Sequence, residues 1–328
     1  NTITTANGTV FVTGHSNTIS SNAGNMWVSG QTTTITNAAG GDIYLTGNTS
    51  TVTNANGGRI FITGHTATIA TSQGTVNITG KENTITTANG VVNISGGNGC
   101  TNTVTTANDK VIMTGVNTVT SAAGTVYASG INTLTTAQGT VNMSGVNTVT
   151  TASSLVSMSG INTITTANGT VLVTGHANTI SSNAGNVWMS GATATVTNAD
   201  GGDIYLTGNT STVTNADGGR IFITGHTATL ATAQGTVNIT GKETTITTAN
   251  GVVNISGGNG CTNTVTTAND KVIMTGTNTV TTAAGTVYAS GINTVTTAQG
   301  TTNASGINTI SNANGIVNLT GANNTITT

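Results

Sequence analysis

The sequence predicts an all-β fold: a flattened, two-sheet parallel β-solenoid of about 20 coils, each of 15–19 residues. Three observations carry that expectation. A single motif, Asn-Thr-Ile-Thr-Thr-Ala followed by a Gly turn and Thr-Val-x-Ile-Thr-Gly, recurs through all 328 residues. The Thr that opens each copy returns 21 times, from Thr2 to Thr325, in steps of 15 to 19 residues. Within each copy, apolar and polar residues alternate. A period this short cannot bury its own apolar face, so each copy must stack on its neighbours.

The elements of one coil follow in order. Asn1-Thr2-Ile3-Thr4-Thr5 alternates, which puts Ile3 on one side and Thr2 and Thr4 on the other. Ala6-Asn7-Gly8 reads as a turn. Thr9-Val10-Phe11-Val12-Thr13 alternates again, and Gly14-His15-Ser16 turns the chain back. Parallel strands of successive coils lie about 4.7–4.9 Å apart, so the coils together predict a rod on the order of 95 Å long. The step series itself repeats after ten copies. This marks residues 1–161 and 162–323 as two repeat units of one continuous solenoid, with 324–328 opening a further coil.

Inward positions are uniform. The centre of the first strand is Ile, Val or Leu in all 21 copies, and Asn precedes the opening Thr in 14 of them. By alternation that Asn points inward, where a buried amide must be hydrogen-bonded; stacked Asn can bond one another. The six methionines read as core filler. Thr302 and Ala304 interrupt the apolar pair of the second strand, which predicts a weakened rung.

Two outer faces differ in kind. The first strand presents Thr-x-Thr, as in Thr2/Thr4, Thr34/Thr36, Thr84/Thr86, Thr118/Thr120, Thr163/Thr165, Thr245/Thr247 and Thr325/Thr327. The second presents a column that holds all nine aromatic residues: Phe11, Trp27, Tyr44, Phe61, Tyr127, Trp188, Tyr205, Phe222 and Tyr288. Such a stripe marks a surface for assembly or glycan contact. Asp42 and Arg59 hold equivalent positions on adjacent copies, as do Asp203 and Arg220, so each couple should form a cross-rung ion pair.

Composition narrows the function classes. Charged residues are 4% of the chain and the net charge is -2, so the basic face that a nucleic-acid partner needs is missing. No apolar run reaches membrane-spanning length. His15, His65, His176 and His226 sit in turns without repeated ligand partners, and no nucleophile arrangement stands out, so neither an enzyme nor a cofactor or metal site is expected. Asp200-Gly201-Gly202-Asp203 is a faint calcium-like signal, lost in the first unit at Ala39. Cys100 and Cys261 lie ten rungs apart, too far to pair within the chain.

The Thr-x-Thr array resembles the ice-binding face of insect hyperactive antifreeze proteins, which are also flat β-solenoids. The resemblance spans the whole chain as a pattern and implies recognition of an ice plane by spaced Thr methyls and hydroxyls. The two termini point elsewhere: the chain opens and closes on the same five residues, Asn-Thr-Ile-Thr-Thr. Uncapped ends of this kind would template a further coil, as in end-to-end stacking or an excerpt of a longer repeat. The leading expectation is a structural, extracellular or cell-surface, fibre-forming solenoid whose main partner is itself, with ice binding second. An adhesin stalk or carbohydrate-contacting surface comes third.

Overall fold

Alternation with a 15–19-residue return builds a parallel β-solenoid of about 19 turns, with 81% of residues in strands. The computed structural model describes residues 1–328 apart from Thr5, Gly97, Asn98, Ser154, Gly201, Gly218, Gly258, Asn259 and Thr328. The side chains of sixteen strand residues, Ser21, Asn22 and Asp200 among them, are likewise outside the described set. The described residues contain no helix. The chain forms two compact units, Asn1–Gly160 and Ile161–Thr328.

In the first unit, strands Lys110–Ala122, Thr125–Ala137 and Val141–Ala152 pair in parallel and in register. Each residue meets its counterpart one coil on: Val119 faces Leu134, which faces Val149. The second unit repeats this with Lys271–Ala283, Thr286–Ala298 and Thr301–Ala313. Strands run through the Thr-Gly corner instead of stopping there, because Gly115, Gly130 and Gly145 are themselves paired. In Ile43–Thr79, 37 residues long, the strand passes through successive corners unbroken.

The corner requires glycine for two reasons. Gly145 has φ 109°, which other residues rarely adopt. A Cβ there would also collide with the carbonyl oxygen of Gly130 on the previous rung. At the opposite corner, a Cβ on Gly139 would strike the carbonyl oxygen of Gly124.

Five inward columns fill the interior. Ile, Val or Leu of the first strand is fully buried, as at Ile35, Ile85, Ile164 and Ile246, and the paired positions of the second strand are buried beside it. All six methionines are buried. The alanine assigned to the turn belongs to the core instead: Ala88, Ala107, Ala122 and Ala137 are at most 1% exposed, as are Ala249, Ala268 and Ala283. The chain bends after the second outward Thr, and a small side chain fits the narrow space that this bend leaves. The turn is left to the pair that follows, Gln-Gly, Asn-Gly, Ala-Gly or Asn-Asp after these alanines.

The preceding Asn column is buried in both units, from Asn17 to Asn308, wherever Asn occurs between the terminal rungs. Its amides form ladders. Asn132 Nδ2 donates to Asn147 Oδ1 at 2.7 Å and to the Ser144 carbonyl at 3.0 Å, both one coil on. Asn83, Asn102, Asn117 and Asn132 are linked in the same way, as are Asn263, Asn278, Asn293, Asn308 and Asn324. The second bond ties the amide to the residue before the corner glycine, so the ladder also holds the corner closed. Where the column changes to Thr33, Ser50, Ser211 or Thr244, the buried hydroxyl has no partner, and neither has the Oδ1 of Asn83 or Asn263 at a ladder's start.

Replacing Asn132 by Ala removes the acceptor of Asn117 and the donor to Asn147. An orphaned buried group costs about 1–3 kcal/mol. Asn132→Ala should therefore lower stability by at least that amount in denaturant titration, while outward Thr133→Ala should change it by less than about 0.5 kcal/mol. Equal effects of the two substitutions would rule out the ladder as a stabilising element.

Candidate functional site

Alternation turns every second residue of the first strand to solvent, and the structure places the Thr-x-Thr residues there. In the first unit Thr2, Thr4, Thr36, Thr84, Thr86 and Thr120 are exposed and Thr34 and Thr118 half-buried, beside fully buried Ile19, Ile35 and Ile85. In the second unit Thr163, Thr165, Thr245, Thr247, Thr325 and Thr327 are exposed. The first Thr column is in register: Thr103 pairs with Thr118, Thr118 with Thr133 and Thr133 with Thr148. Hydroxyls thus recur about 6.7 Å along a strand and about 4.8 Å from rung to rung.

The second strand's central column brings the aromatic residues together in two stacks. Phe11, Trp27, Tyr44 and Phe61 lie ring on ring, with centroids 4.8, 5.1 and 4.9 Å apart and planes within 15°. In the second unit Trp188, Tyr205 and Phe222 stack at 5.4 and 4.9 Å. Register forces this, since one ring per rung leaves each ring a neighbour at the strand spacing. The inner rings Trp27, Tyr44 and Tyr205 present their edges outward, because both of their faces are covered by neighbouring rings. Tyr127 and Tyr288 are not in a stack; each carries a lysine over its ring, Lys110 at 5.3 Å and Lys271 at 5.5 Å. Below the stacks the column continues as amide pairs, Asn93 Nδ2 to Asn77 Oδ1 and Asn254 Nδ2 to Asn238 Oδ1, both 3.0 Å.

Beside the rings runs a chain of three rungs. The Asp42 N–H donates to Asn25 Oδ1 at 2.9 Å, and the Arg59 N–H donates to Asp42 Oδ1 at 3.1 Å. Arg59 Nη2 lies 2.5 Å from Asp42 Oδ2, and its guanidinium sits 5.8 Å from the centre of the Phe61 ring. Asn186, Asp203, Arg220 and Phe222 repeat the arrangement, with Arg220 Nη2 bonded to Asp203 Oδ2. The facing guanidinium holds each carboxyl below its ordinary value. On the other side of the rings lies an unbroken column of hydroxyls, Thr13, Ser29, Thr46 and Thr63 in the first unit.

One apolar feature escaped the sequence reading. In the 15-residue coils a single residue separates the corner glycine from Asn, and it is exposed: Ile131 at 54% and Val146 at 47%, with Ile292 and Ile307 at 52% and 50% in the second unit. The signal was present as the Gly-Ile-Asn and Gly-Val-Asn tripeptides, hidden by their assignment to a turn.

Other sequence candidates do not converge. The four histidines are exposed. Cys100 and Cys261 are buried free thiols, donating to the Thr114 and Thr275 carbonyls at 3.2 and 3.3 Å. Gly201 and the Asp200 side chain of the calcium-like segment lie outside the described residues, as do Gly97, Asn98, Gly258 and Asn259 of the two insertions. Among the described residues no three His, Cys, Asp or Glu side chains gather as metal ligands, and no helix is long and apolar enough to cross a membrane.

A carboxyl held below its ordinary value of 3.8 contributes stability above that value and loses it as the pH falls through the depressed one. Asp42→Asn with Asp203→Asn should lower the melting temperature at pH 7, and the gap to the unsubstituted protein should close as the pH drops below 3.8. A gap that ignores pH would show that the pairs do not couple to folding. No protein-family model, curated protein or solved structure matches the chain, so its function rests on the geometry of these faces.

Proposed function

We propose that this chain is a structural element of an extracellular or cell-surface fibre, and not an enzyme, whose main partner is further copies of itself. One observation carries the reading: the columns of both units are largely self-complementary along the coil direction. Amide meets amide, ring meets ring, and backbone pairs in register. A rung built this way accepts another rung as its next neighbour, whether from the same copy or another, which is how edge strands template association.

Lateral contact has three candidate surfaces: the Thr face, the aromatic column and the apolar corner ridge of Ile131 and Val146. With 4% charged residues, little repulsion opposes side-by-side packing. Purified protein at neutral pH and moderate salt should form filaments in negative-stain microscopy, with sedimentation rising with concentration. Monodisperse monomers across the accessible concentration range would refute the fibre reading.

A second reading, ice binding through the Thr face, is favoured by the register of Thr103, Thr118, Thr133 and Thr148 on successive parallel strands. On that reading ice crystals grow faceted in the protein's presence and show thermal hysteresis, and Thr118→Tyr with Thr133→Tyr abolishes both. Ice growing unshaped beside the unsubstituted protein excludes it.

A further inference from the structure

Asn-Gly pairs recur at the turns, and two of them are set apart by what the next rung brings to the amide. Asn89-Gly90 and Asn250-Gly251 hold the same place in the two units, and the Asn of each is exposed. Asn108 stands one rung on from Asn89, and its Nδ2 donates to Asn89 Oδ1 at 2.6 Å. Asn269 Nδ2 donates to Asn250 Oδ1 in the same way, also at 2.6 Å. The backbone fixes both couples: the Asn108 N–H bonds the Ala88 carbonyl and the Asn269 N–H the Ala249 carbonyl, each at 2.9 Å.

The glycine that follows matters as much. Among the described residues, neither the Gly90 N–H nor the Gly251 N–H has an acceptor. The Gly315 N–H, after Asn314, is instead engaged by the Ala298 carbonyl at 3.0 Å. Asn168-Gly169 separates the two features. The Gly169 N–H is as free as that of Gly90, but no amide donates to Asn168 among the described residues. Ala184, whose N–H bonds the Ala167 carbonyl at 2.9 Å, stands where Asn108 and Asn269 stand in their rungs.

We propose that Asn89 and Asn250 are sites of spontaneous deamidation, each promoted by the asparagine of the next rung. The Gly90 nitrogen loses its proton to hydroxide and attacks Asn89 Cγ, closing a five-membered ring. Glycine favours the step because no side chain crowds that nitrogen. Ring closure puts negative charge on Oδ1, the atom to which Asn108 Nδ2 already points. A hydrogen bond to a charged oxygen is stronger than one to a neutral oxygen, so the donor stabilises the intermediate more than the starting amide. The Cγ–Nδ2 bond then breaks, and the amide nitrogen leaves as ammonia with a proton from water. Water opens the succinimide, so that one amide and one water become one carboxylate and one ammonium ion. Opening at Cγ keeps the backbone length, and Asn108 Nδ2 then holds the new carboxylate by a charge-assisted bond. Opening at the backbone carbonyl instead leaves an isoaspartyl link, which lengthens the rung by one atom. Each unit gains one negative charge, which doubles the net charge of -2.

The test is peptide mapping by mass spectrometry of the full chain aged at mildly alkaline pH. The fraction of acid in place of amide is followed over time at each Asn-Gly pair. Asn89 and Asn250 should convert about tenfold faster than Asn168. Asn108→Ala should slow Asn89 to the rate of Asn168 and leave Asn250 unchanged, which serves as a control within the same molecule. Ala184→Asn should speed Asn168 by a similar factor, and circular dichroism checks that each variant keeps its strands. Equal rates at Asn89 and Asn168 in the unsubstituted chain, or no gain at Asn168 in the Ala184→Asn variant, overturn the proposal.

Discussion

Everything in this molecule depends on a single spacing. Each residue's nearest counterpart is the equivalent residue one rung away, at the parallel-strand distance of about 4.8 Å. A column therefore tolerates residues that associate well with their own kind at that distance. Asn qualifies because its amide both donates and accepts, as the Asn117 to Asn132 to Asn147 ladder shows. Aromatic rings qualify through stacking, branched aliphatics through packing, and glycine because nothing larger clears the rung before it. Opposite charges qualify as well: Asp42 is followed by Arg59 and Asp203 by Arg220. The absence of proline follows too, because a ladder running through the corners uses the backbone N–H groups that proline lacks.

Within that rule the 15- and 17-residue coils differ. The 15-residue coils carry the amide ladder inside and, at Ile131, Val146, Ile292 and Ile307, an exposed aliphatic residue at the corner. The 17-residue coils replace the amide with Thr33 or Ser50, whose hydroxyls are buried and unpartnered. Those same rungs carry Tyr44 and Phe61, and the Asp42–Arg59 pair, on the outside. In the second unit Asp203, Tyr205, Arg220 and Phe222 accompany Ala194 and Ser211. Cross-rung adhesion has thus moved from the interior to the surface in these coils, and the longer corners allow the change.

Much of this was legible in the sequence. Strict alternation told which residues of Asn1-Thr2-Ile3-Thr4 face inward, and the constant step told which residues share a column. Three things were not. The buried alanine after each Thr-Thr was masked by the Asn-Gly signal beside it, because alternation breaks at the bend and one small residue carries no pattern of its own. The exposed Ile131 and Val146 stand alone between two corners, so they have no alternating partner to orient them. Thr302 and Ala304 were visible as an interruption, but whether an absent side chain collapses, stays empty or opens to solvent depends on packing in three dimensions. Here both residues stay buried, and the Thr302 hydroxyl is left without a partner.

The hydrogen bonds that join the rungs run along the coil direction, and a rung of 15 residues occupies only about 4.8 Å of it. Drawn out fully, the same residues would span about 50 Å at ~3.4 Å each. Each coil therefore holds a folded reserve of roughly ten times its own height. Tension along that direction meets the bonds of one rung at a time, so a stretched unit would lengthen by paying out whole coils in discrete steps, not by straining evenly.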